Sequence, residues 1–275
     1  MSKWFYRIGA FFKYYNKAST VYGIHSPFVY DFIVNILDTS KEYYAYKNLE
    51  AARWKLMQSN KTIMVDDFGA GSQVLQHKVK ERKVKDIAKS ALSSKNKCRI
   101  LFQLINHYSA KEILELGTSL GLSSGYMAAS VPSGKITTLE GSAEIAKIAA
   151  ETHKSLGSQN IKIIQGNFIN TLHQVLHQQF DVIFIDGHHE YSAVMTYFEA
   201  LKPTFKSTTI VIIDDIYWSE GMEKAWHELK NTEGVTVSID VFEVGILFFN
   251  PQLIRQDFTL IAYKYKPWKL GIWGK

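Results

Sequence analysis

Glu112-Ile113-Leu114-Glu115-Leu116-Gly117-Thr118-Ser119-Leu120-Gly121 is the stretch whose reading decides the fold. It reads as a short buried strand, an acidic residue near its end, and a small-residue turn that leads into a helix. A strand that feeds such a turn brings free backbone N–H groups and a helix N-terminus to one point. That is a ligand site by geometry, and the rest of the chain bears on which ligand it takes.

Downstream of this turn the pattern is regular. Strands are expected at Ile113–Leu116, Ile136–Leu139, Ile161–Ile164, Phe180–Ile185 and Thr209–Ile213. Helices are expected between and after them, at Ser123–Ala129, Ala143–Ser155, Ile169–Leu176, Tyr191–Leu201 and Met222–Leu229, with Gly157 stopping the second. Short, near-continuous apolar strands alternating with helices mean a mostly parallel sheet covered on both faces. Val235–Val241 and Val244–Phe249 have no helix between them and predict an antiparallel hairpin at one sheet edge. The expected class is therefore α/β, a doubly wound, mostly parallel seven-stranded sheet with an antiparallel edge hairpin. Phe258–Tyr263 is a candidate for one further strand.

Upstream, residues 1–105 read as a mainly helical extension or cap. Phe5, Ile8, Phe12 and Tyr15 fall on one helix face. Gly23-Ile24-His25-Ser26-Pro27 breaks that helix, and Phe28–Leu37 forms a second. Both cover the main domain, line a substrate lid, or lie on a membrane surface. Val65-Asp66-Asp67-Phe68-Gly69-Ala70-Gly71-Ser72 is a second Gly-containing turn. The charged residues after it carry no strand ending in an acid, so it reads as a loop of the N-terminal region. Residues 84–105 predict one helix, with Ile87, Leu92, Ile100, Leu101, Leu104 and Ile105 as its buried set. The main domain then spans 106–250, and 251–275 holds a C-terminal strand and basic tail.

Composition narrows the class. Hydrophobic residues make up 46% and charged residues 21% of the 275, which suits a globular chain with a full core. The one cysteine, Cys98, excludes an intramolecular disulfide framework and a cysteine-based zinc site, and it fits a reducing compartment. No run approaches the ~18 apolar residues of a membrane span. Lys3, Arg7, Lys13 and Lys17 interrupt the N-terminal aromatics, so no signal-peptide core is present and a cytoplasmic location is expected. The net charge of +6 is concentrated between Lys78 and Lys97, opposed there by Glu81 and Asp86, and in Lys264, Lys266, Lys269 and Lys275. Such patches attract nucleic acid, anionic lipid or acidic substrates; the plain reading is a solvated face.

In open α/β sheets, ligands bind beyond the carboxyl ends of the strands. Here those ends carry Glu115, Glu140, Asp186 and the pair Asp214-Asp215. Any one could be a helix cap; all of them on one rim ask for more. Glu140 follows Gly117 by 23 residues, a spacing at which an acid binds the ribose hydroxyls of an adenosine. The dinucleotide fingerprint G-x-G-x-x-G is not met, because Ser119 and Leu122 stand at its second and third glycines and Gly121 falls one residue early. Glu115 beside the turn also disfavours a pyrophosphate and tolerates an ammonium and a sulfonium. Asp186, Asp214 and Asp215 would repel one another unless a cation holds them, and their oxygens suit Mg²⁺ or Ca²⁺. His189 could then serve as general base. The alternative is that the acids cap helices and the histidines face solvent. Tyr217 and Trp218 form either an aromatic wall for substrate or part of the core.

Glu115-Leu116-Gly117-Thr118-Ser119-Leu120-Gly121, then Glu140, then Phe180–Asp186 resemble the class I S-adenosylmethionine-dependent methyltransferases. Asp186-Gly187-His188-His189-Glu190-Tyr191, followed by an acidic pair closing the next strand, is similar to the small-molecule O-methyltransferases related to catechol and macrocin O-methyltransferases. The likeness runs from about Ala110 to Phe249. It implies a Rossmann-like methyltransferase fold. It also implies S-adenosylmethionine held by Glu115 and the Gly117, Thr118, Ser119, Gly121 turn, with Glu140 on the ribose, Asn167 near the adenine, and Asp186 at the cofactor and metal. A divalent metal on Asp186, Asp214 and Asp215 and a catalytic His189 complete the implied set. Two positions depart from the pattern: Asp215 stands where the catechol group has Asn, and Ser119 replaces a common Gly.

The expected reaction is metal-assisted O-methylation of a small-molecule substrate. Metal-independent transfer to nitrogen, protein or nucleic acid is the first alternative. A nicotinamide oxidoreductase is disfavoured by the glycine spacing. A nucleic-acid substrate is disfavoured because no N/D-P-P-Y/F motif follows Ile185. A non-enzymatic reading is a cofactor-binding or membrane-associated module using the aromatic N-terminus and the Trp268/Trp273 basic tail, with peripheral membrane contact. A homodimer is compatible with the sequence, which does not fix the oligomeric state.

Overall fold

A computed structural model describes residues 3–66 and 79–266. The chain opens with helix α1 (Lys3–Lys17). Ser26 then caps α2 (Pro27–Phe32), accepting the Val29 N–H, with Pro27 at its first turn, and one turn of π-helix continues it through Ile33–Leu37. Helix α3 (Tyr44–Gln58) follows. The sequence did not signal it, because its buried residues Tyr46, Leu49, Ala52 and Leu56 sit among exposed aromatics and charges. Strands β1 (Thr62–Asp66) and β2 (Val79–Lys83) pair antiparallel as a small separate sheet, also unexpected. The proposed loop from Asp67 to Ser72 and the tail residues Trp268, Lys269, Trp273 and Lys275 lie outside the described residues.

The single helix expected over 84–105 is two, α4 (Val84–Ala91) and α5 (Lys95–His107). Leu92 turns extended between them, and the Ser94 hydroxyl accepts the Lys97 N–H at 3.1 Å, starting a new helix. The core elements follow: β3 (Glu112–Leu116), α6 (Leu122–Ser130), β4 (Lys135–Glu140), α7 (Ala143–Leu156), β5 (Ile161–Gln165) and the short α8 (Phe168–Thr171). Then come β6 (Phe180–Ile185), α9 (Tyr191–Leu201), β7 (Phe205–Asp214), α10 (Glu220–Leu229), β8 (Val237–Asp240), β9 (Val244–Phe248) and β10 (Gln256–Thr259). The helix expected at Ile169–Leu176 shortens to one turn and a 3₁₀ turn at Leu172–Gln174.

The sheet order is β10-β8-β9-β7-β6-β3-β4-β5. Strands β3 to β7 are parallel, and β9 runs antiparallel to both β7 and β8. The sheet has eight strands, one more than the seven counted from the main pattern, because β10 adds in parallel beside β8 and moves the hairpin inward from the edge.

Both faces are buried, which explains the continuous apolar strands. On one face Ile113, Val182, Phe184 and Ile212 pack against Leu101, Leu104 and Ile105 of α5, Met127 of α6, and Phe32 and Ile36. On the other, Leu114, Leu116, Ile183, Ile185 and Ile213 pack against Phe198 and Leu201 of α9 and Trp226 of α10. Full burial of a side chain such as Phe184 contributes about 1.5–3 kcal/mol. α4 docks Val84, Ile87 and Ala88 against Leu120 of the turn after β3 and Ile148 of α7. The sheet order reverses between β3 and β6, so the carboxyl ends of these two strands open a crevice. Among the described residues no helix is long and apolar enough to cross a membrane.

Candidate active site

The crevice at the β3/β6 switch holds a cavity of about 650 Å³, within the ~300–1,000 Å³ of small-molecule sites. Gly117, Ser119, Glu140, Asn167, Asp186, His189, Asp215 and Trp218 line it from the strand ends, while Arg82, Ile87, Ser90 and Ala91 line it from β2 and α4. The residues from β2 and α4 were not anticipated, since they come from a stretch that reads as solvated charge.

The turn after β3 is built by backbone conformations that most residues avoid. Gly117 has φ 104°, Ser119 has φ 48° and Gly121 has φ 81°. A Cβ on Gly117 would lie 2.1 Å from the Asp186 carbonyl oxygen, so the ends of β3 and β6 touch only because this residue is glycine. The Ser119 N–H donates to Glu140 Oε2 at 2.9 Å, and the Ser142 N–H donates to Glu140 Oε1 at 2.9 Å. These two bonds fix the carboxylate at the cavity wall, with oxygen lone pairs left for a ligand. Burial raises its pKa against those bonds.

Four residues expected at the ligand do not line the cavity: Glu115, Thr118, Gly121 and Asp214. Glu115 is fully buried under the turn, accepting Ser123 Oγ and Thr138 Oγ1 at 2.5 Å each. Burial pushes its carboxyl up to about 7, opposed by those hydroxyl bonds. Thr118 Oγ1 meets Thr138 Oγ1 at 2.6 Å. The Gly121 carbonyl lies 3.0 Å from His153 Nε2 of α7, which also meets Ser124 Oγ at 2.9 Å. Burial lowers His153 to about 4, keeping it neutral. These groups support the turn from beneath. Spacing along the strand cannot separate such supports from residues that face the cavity.

At the other end of the cavity, His189 Nε2 stands 3.7 Å from Asp186 Oδ1 and its ring 5.9 Å from that of Trp218. His188 Nδ1 meets the Tyr197 hydroxyl at 2.9 Å. The Ser93 hydroxyl donates to Asp186 Oδ2 at 3.3 Å. Trp218 lines the cavity, but Tyr217 does not: it stacks on Phe242 and donates to Asp240 at 2.6 Å, which settles that residue as core packing. Arg7 of α1 lies over the Trp218 ring at 4.8 Å and 3.8 Å from Asp215.

The metal-ligating group differs from the one expected. Asp186, His189 and Asp214 offer ligand atoms within 4.8 Å of one another; Asp215 is not among them. Asp215 has φ 49°, and its carboxylate pairs with Arg7 instead. The cation that the acids require is already present, and sequence reasoning missed it. Lys97 Nζ lies 2.6 and 2.7 Å from the two Asp214 oxygens, with both side chains buried (8% and 2% exposed). Burial works against the ammonium, yet Asp214, Asp186 and Asp215 together hold its pKa above the usual lysine value. Burial raises Asp186 to about 6, with Lys97 opposing. The signal for Lys97 was its register: it lies four residues before Leu101 and seven before Leu104, on the buried stripe of α5. The basic run from Lys78 to Lys97 therefore ends inside the core. The ammonium hydrogen-bonds Asp214 Oδ2 and stands 2.6 Å from Oδ1, which has no hydrogen-bond partner among the described residues, so a divalent ion on Asp186, His189 and Asp214 would sit directly against a buried cation.

The strand order and the switch-point cavity define the class, a Rossmann-like α/β sheet of the kind seen in the solved methyltransferases on which it superposes. Residues 114–216 match a family model described as a methyltransferase domain. The catechol O-methyltransferase of Niastella koreensis is 30% identical over 128 residues, 45% of this chain and 57% of that protein, so the chain spans little more than half the length of this relative. The O-methyltransferase from Bacillus cereus in complex with SAH superposes with a TM-score of 0.52 at 20% identity, over 60% of this chain and 86% of that one. The SAH-bound Podospora anserina methyltransferase PaMTH1 gives 0.56 at 17%, over 82% and 97%. At these identities the structural likeness establishes the fold.

Proposed function

We propose that this protein transfers the methyl group of S-adenosylmethionine to a hydroxyl of a small-molecule substrate. One observation carries the reading: a single cavity at the strand-order switch has Glu140 at one end and the Asp186–His189 pair at the other. Glu140 suits the ribose diol, with Asn167 beside it for the adenine. The acids of the lining favour the cationic sulfonium over a pyrophosphate. The names of the relatives, an O-methyltransferase and a catechol O-methyltransferase among them, support the acceptor class.

In this mechanism the substrate hydroxyl lies against His189. Its oxygen attacks the methyl carbon in line, the O–CH₃ bond forms, and the S–CH₃ bond breaks to leave the neutral thioether S-adenosylhomocysteine. The hydroxyl proton passes to His189, and the Asp186 carboxylate beside it stabilises the imidazolium. Positioning and charge stabilisation supply most of the acceleration. Residues 1–105 act as a cap: Ile87, Ser90 and Ala91 close one side of the cavity, and Arg7 packs on Trp218. The divalent ion expected from the sequence has no part in these steps.

A thermal-shift titration with S-adenosylhomocysteine, with NADH as control, tests the cofactor. A ligand at about 100 times its dissociation constant adds about 2.7 kcal/mol, which a melting curve resolves. Stabilisation by NADH and not by S-adenosylhomocysteine would overturn the reading. A panel of phenolic and aliphatic alcohols with radiolabelled cofactor then tests the acceptor class.

A second, compatible reading concerns α1, which exposes Trp4, Phe5 and Phe12 on a helix that carries Arg7, Lys13 and Lys17 and no acid. This pattern suits peripheral contact with an anionic bilayer. Co-sedimentation with phosphatidylserine vesicles but not with phosphatidylcholine vesicles is the expected result; no sedimentation with either rejects it.

A further inference from the structure

The acids at the ends of β6 and β7 resemble a divalent-ion site, but the chain supplies their counter-charge itself. We infer that Lys97 is the resident cation of this site, that its ammonium takes the place of a divalent metal, and that the acceptor therefore needs only one hydroxyl rather than a chelating pair of oxygens. The part that concerns the acceptor rests on the methyl-transfer reading above; the part that concerns metal binding does not.

Three observations carry it. First, Lys97 Nζ donates to Asp214 Oδ2 at 2.7 Å and lies 2.6 Å from Oδ1, an ion pair to that oxygen without a hydrogen bond, in a buried setting. A divalent ion bound by Asp214 would need an oxygen at roughly 2.0–2.6 Å, and it would bring a second cation against the ammonium with little water to screen the two. Second, the lysine is anchored and not a stray surface chain. Its backbone N–H donates to Ser94 Oγ at 3.1 Å, and Ser94 Oγ donates to Glu243 Oε2 at 2.8 Å, tying the start of α5 to the loop before β9. Third, the carboxylate that would complete an oxygen cage is not among the converging ligand atoms: Asp215 faces Arg7 at 3.8 Å, outside the group formed by Asp186, His189 and Asp214. What remains beside Lys97 and Asp214 is Asp186 with His189, the pair assigned to proton transfer.

Lys97 does not line the cavity. It is a positioning residue that acts through Asp214 and Asp186: it neutralises Asp214 and lets Asp186 stay beside His189 without a metal. A metal in such a site would orient its acceptor by gripping two neighbouring oxygens. With an ammonium buried behind the acids, that grip is absent, and acceptor orientation falls to His189, Trp218 and the cap. The substrate class widens to single hydroxyls.

The test titrates Mn²⁺ into the full chain by electron paramagnetic resonance, without cofactor or substrate. Wild type, Lys97→Met and Lys97→Met/Asp214→Asn are compared. The expected result is no site in wild type up to about 1 mM Mn²⁺, a site at least about tenfold tighter in Lys97→Met, and its loss in the double variant. A wild-type Mn²⁺ site that Asp214→Asn removes would overturn the inference, as would a folded Lys97→Met variant that binds no better than wild type. Should Lys97→Met fail to fold, the comparison of wild type with Asp214→Asn still decides. Mn²⁺ binding is read without turnover, so a failure of the methyl-transfer reading leaves this result standing. If turnover is found, the same inference expects EDTA to leave it unchanged and a phenol with one hydroxyl to be accepted alongside a catechol; a strict requirement for adjacent hydroxyls would sink the acceptor claim.

Discussion

Gly117 and Asp186 meet across the point where the strand order reverses: a Cβ at position 117 would fall 2.1 Å from the Asp186 carbonyl oxygen. The Asp186 N–H in turn donates to the Leu116 carbonyl at 2.8 Å. The two strand ends are thus locked together by one hydrogen bond and one missing side chain. The turn and the Asp186–His189 pair are held in register by the same contact.

Gly117→Ala should break that lock. The substitution meets backbone rather than a movable side chain, and it forces φ 104° on a residue with a Cβ. Strain of this kind costs about 1–3 kcal/mol, to which the displacement of β3 from β6 adds. Urea unfolding should show that loss, and S-adenosylhomocysteine should no longer raise the melting temperature. Unchanged stability would mean that the strand ends can separate freely.

Glu140→Ala should weaken cofactor binding more than it weakens the fold. Hydrogen bonds to a charged group contribute about 1.5–3 kcal/mol, so S-adenosylhomocysteine affinity by calorimetry should fall about 10- to 100-fold. Part of the loss will be indirect, since Glu140 also holds the Ser119 and Ser142 amides. Glu140→Gln keeps one acceptor and should fall between. An unaltered affinity in both would place the ribose elsewhere.

His189→Ala should separate binding from chemistry. The ring is partly exposed and lies beside Asp186 and Trp218. Cofactor affinity should stay within about twofold while kcat falls about 10²- to 10⁴-fold. Equal rates in variant and wild type would remove His189 from the mechanism.

Glu115 gives the protein a pH dependence of known sign. Its folded pKa is about 7 against an ordinary 4.5, raised chiefly by burial. The folded state therefore holds this proton more tightly than the unfolded state does. Its contribution is fully present below pH 4.5 and is lost as pH rises through 7, by at most about 3 kcal/mol. Glu115→Gln removes the titration while Ser123 and Thr138 can reorient their hydroxyls. The gap in unfolding free energy between variant and wild type should widen in favour of the variant from pH 5 to pH 9. A constant gap would show that Glu115 is ionised throughout.

The sheet was legible because strand and helix periods are local. Phe180–Ile185 and Tyr191–Leu201 were bounded to the residue, and Gly157 ends α7 with φ 71° as a glycine stop should. The N-terminal part was less legible for an equally local reason. Aromatics crowd both the buried and the exposed faces of α1 and α3, which blurs the helical stripe, and the break at Leu92 depends on the Ser94 cap rather than on a Pro or Gly.

By itself the sequence determined the alternation of strands and helices, the glycine turn and the acids at the strand ends, all properties of neighbours in the chain. Only the tertiary structure decided which acids face a ligand. Glu115 and Glu140 look alike as strand-end acids, yet one is sealed under the turn and the other walls the cavity, because Glu115 pairs in register with Thr138, two residues short of Glu140, and so lies deeper in the sheet on the same face. It also decided what neutralises Asp214. Lys97 precedes it by 117 residues, and only the packing of α5 against the sheet brings the ammonium to the carboxylate. Charge pairing in a core depends on distance in space, and chain spacing does not encode it.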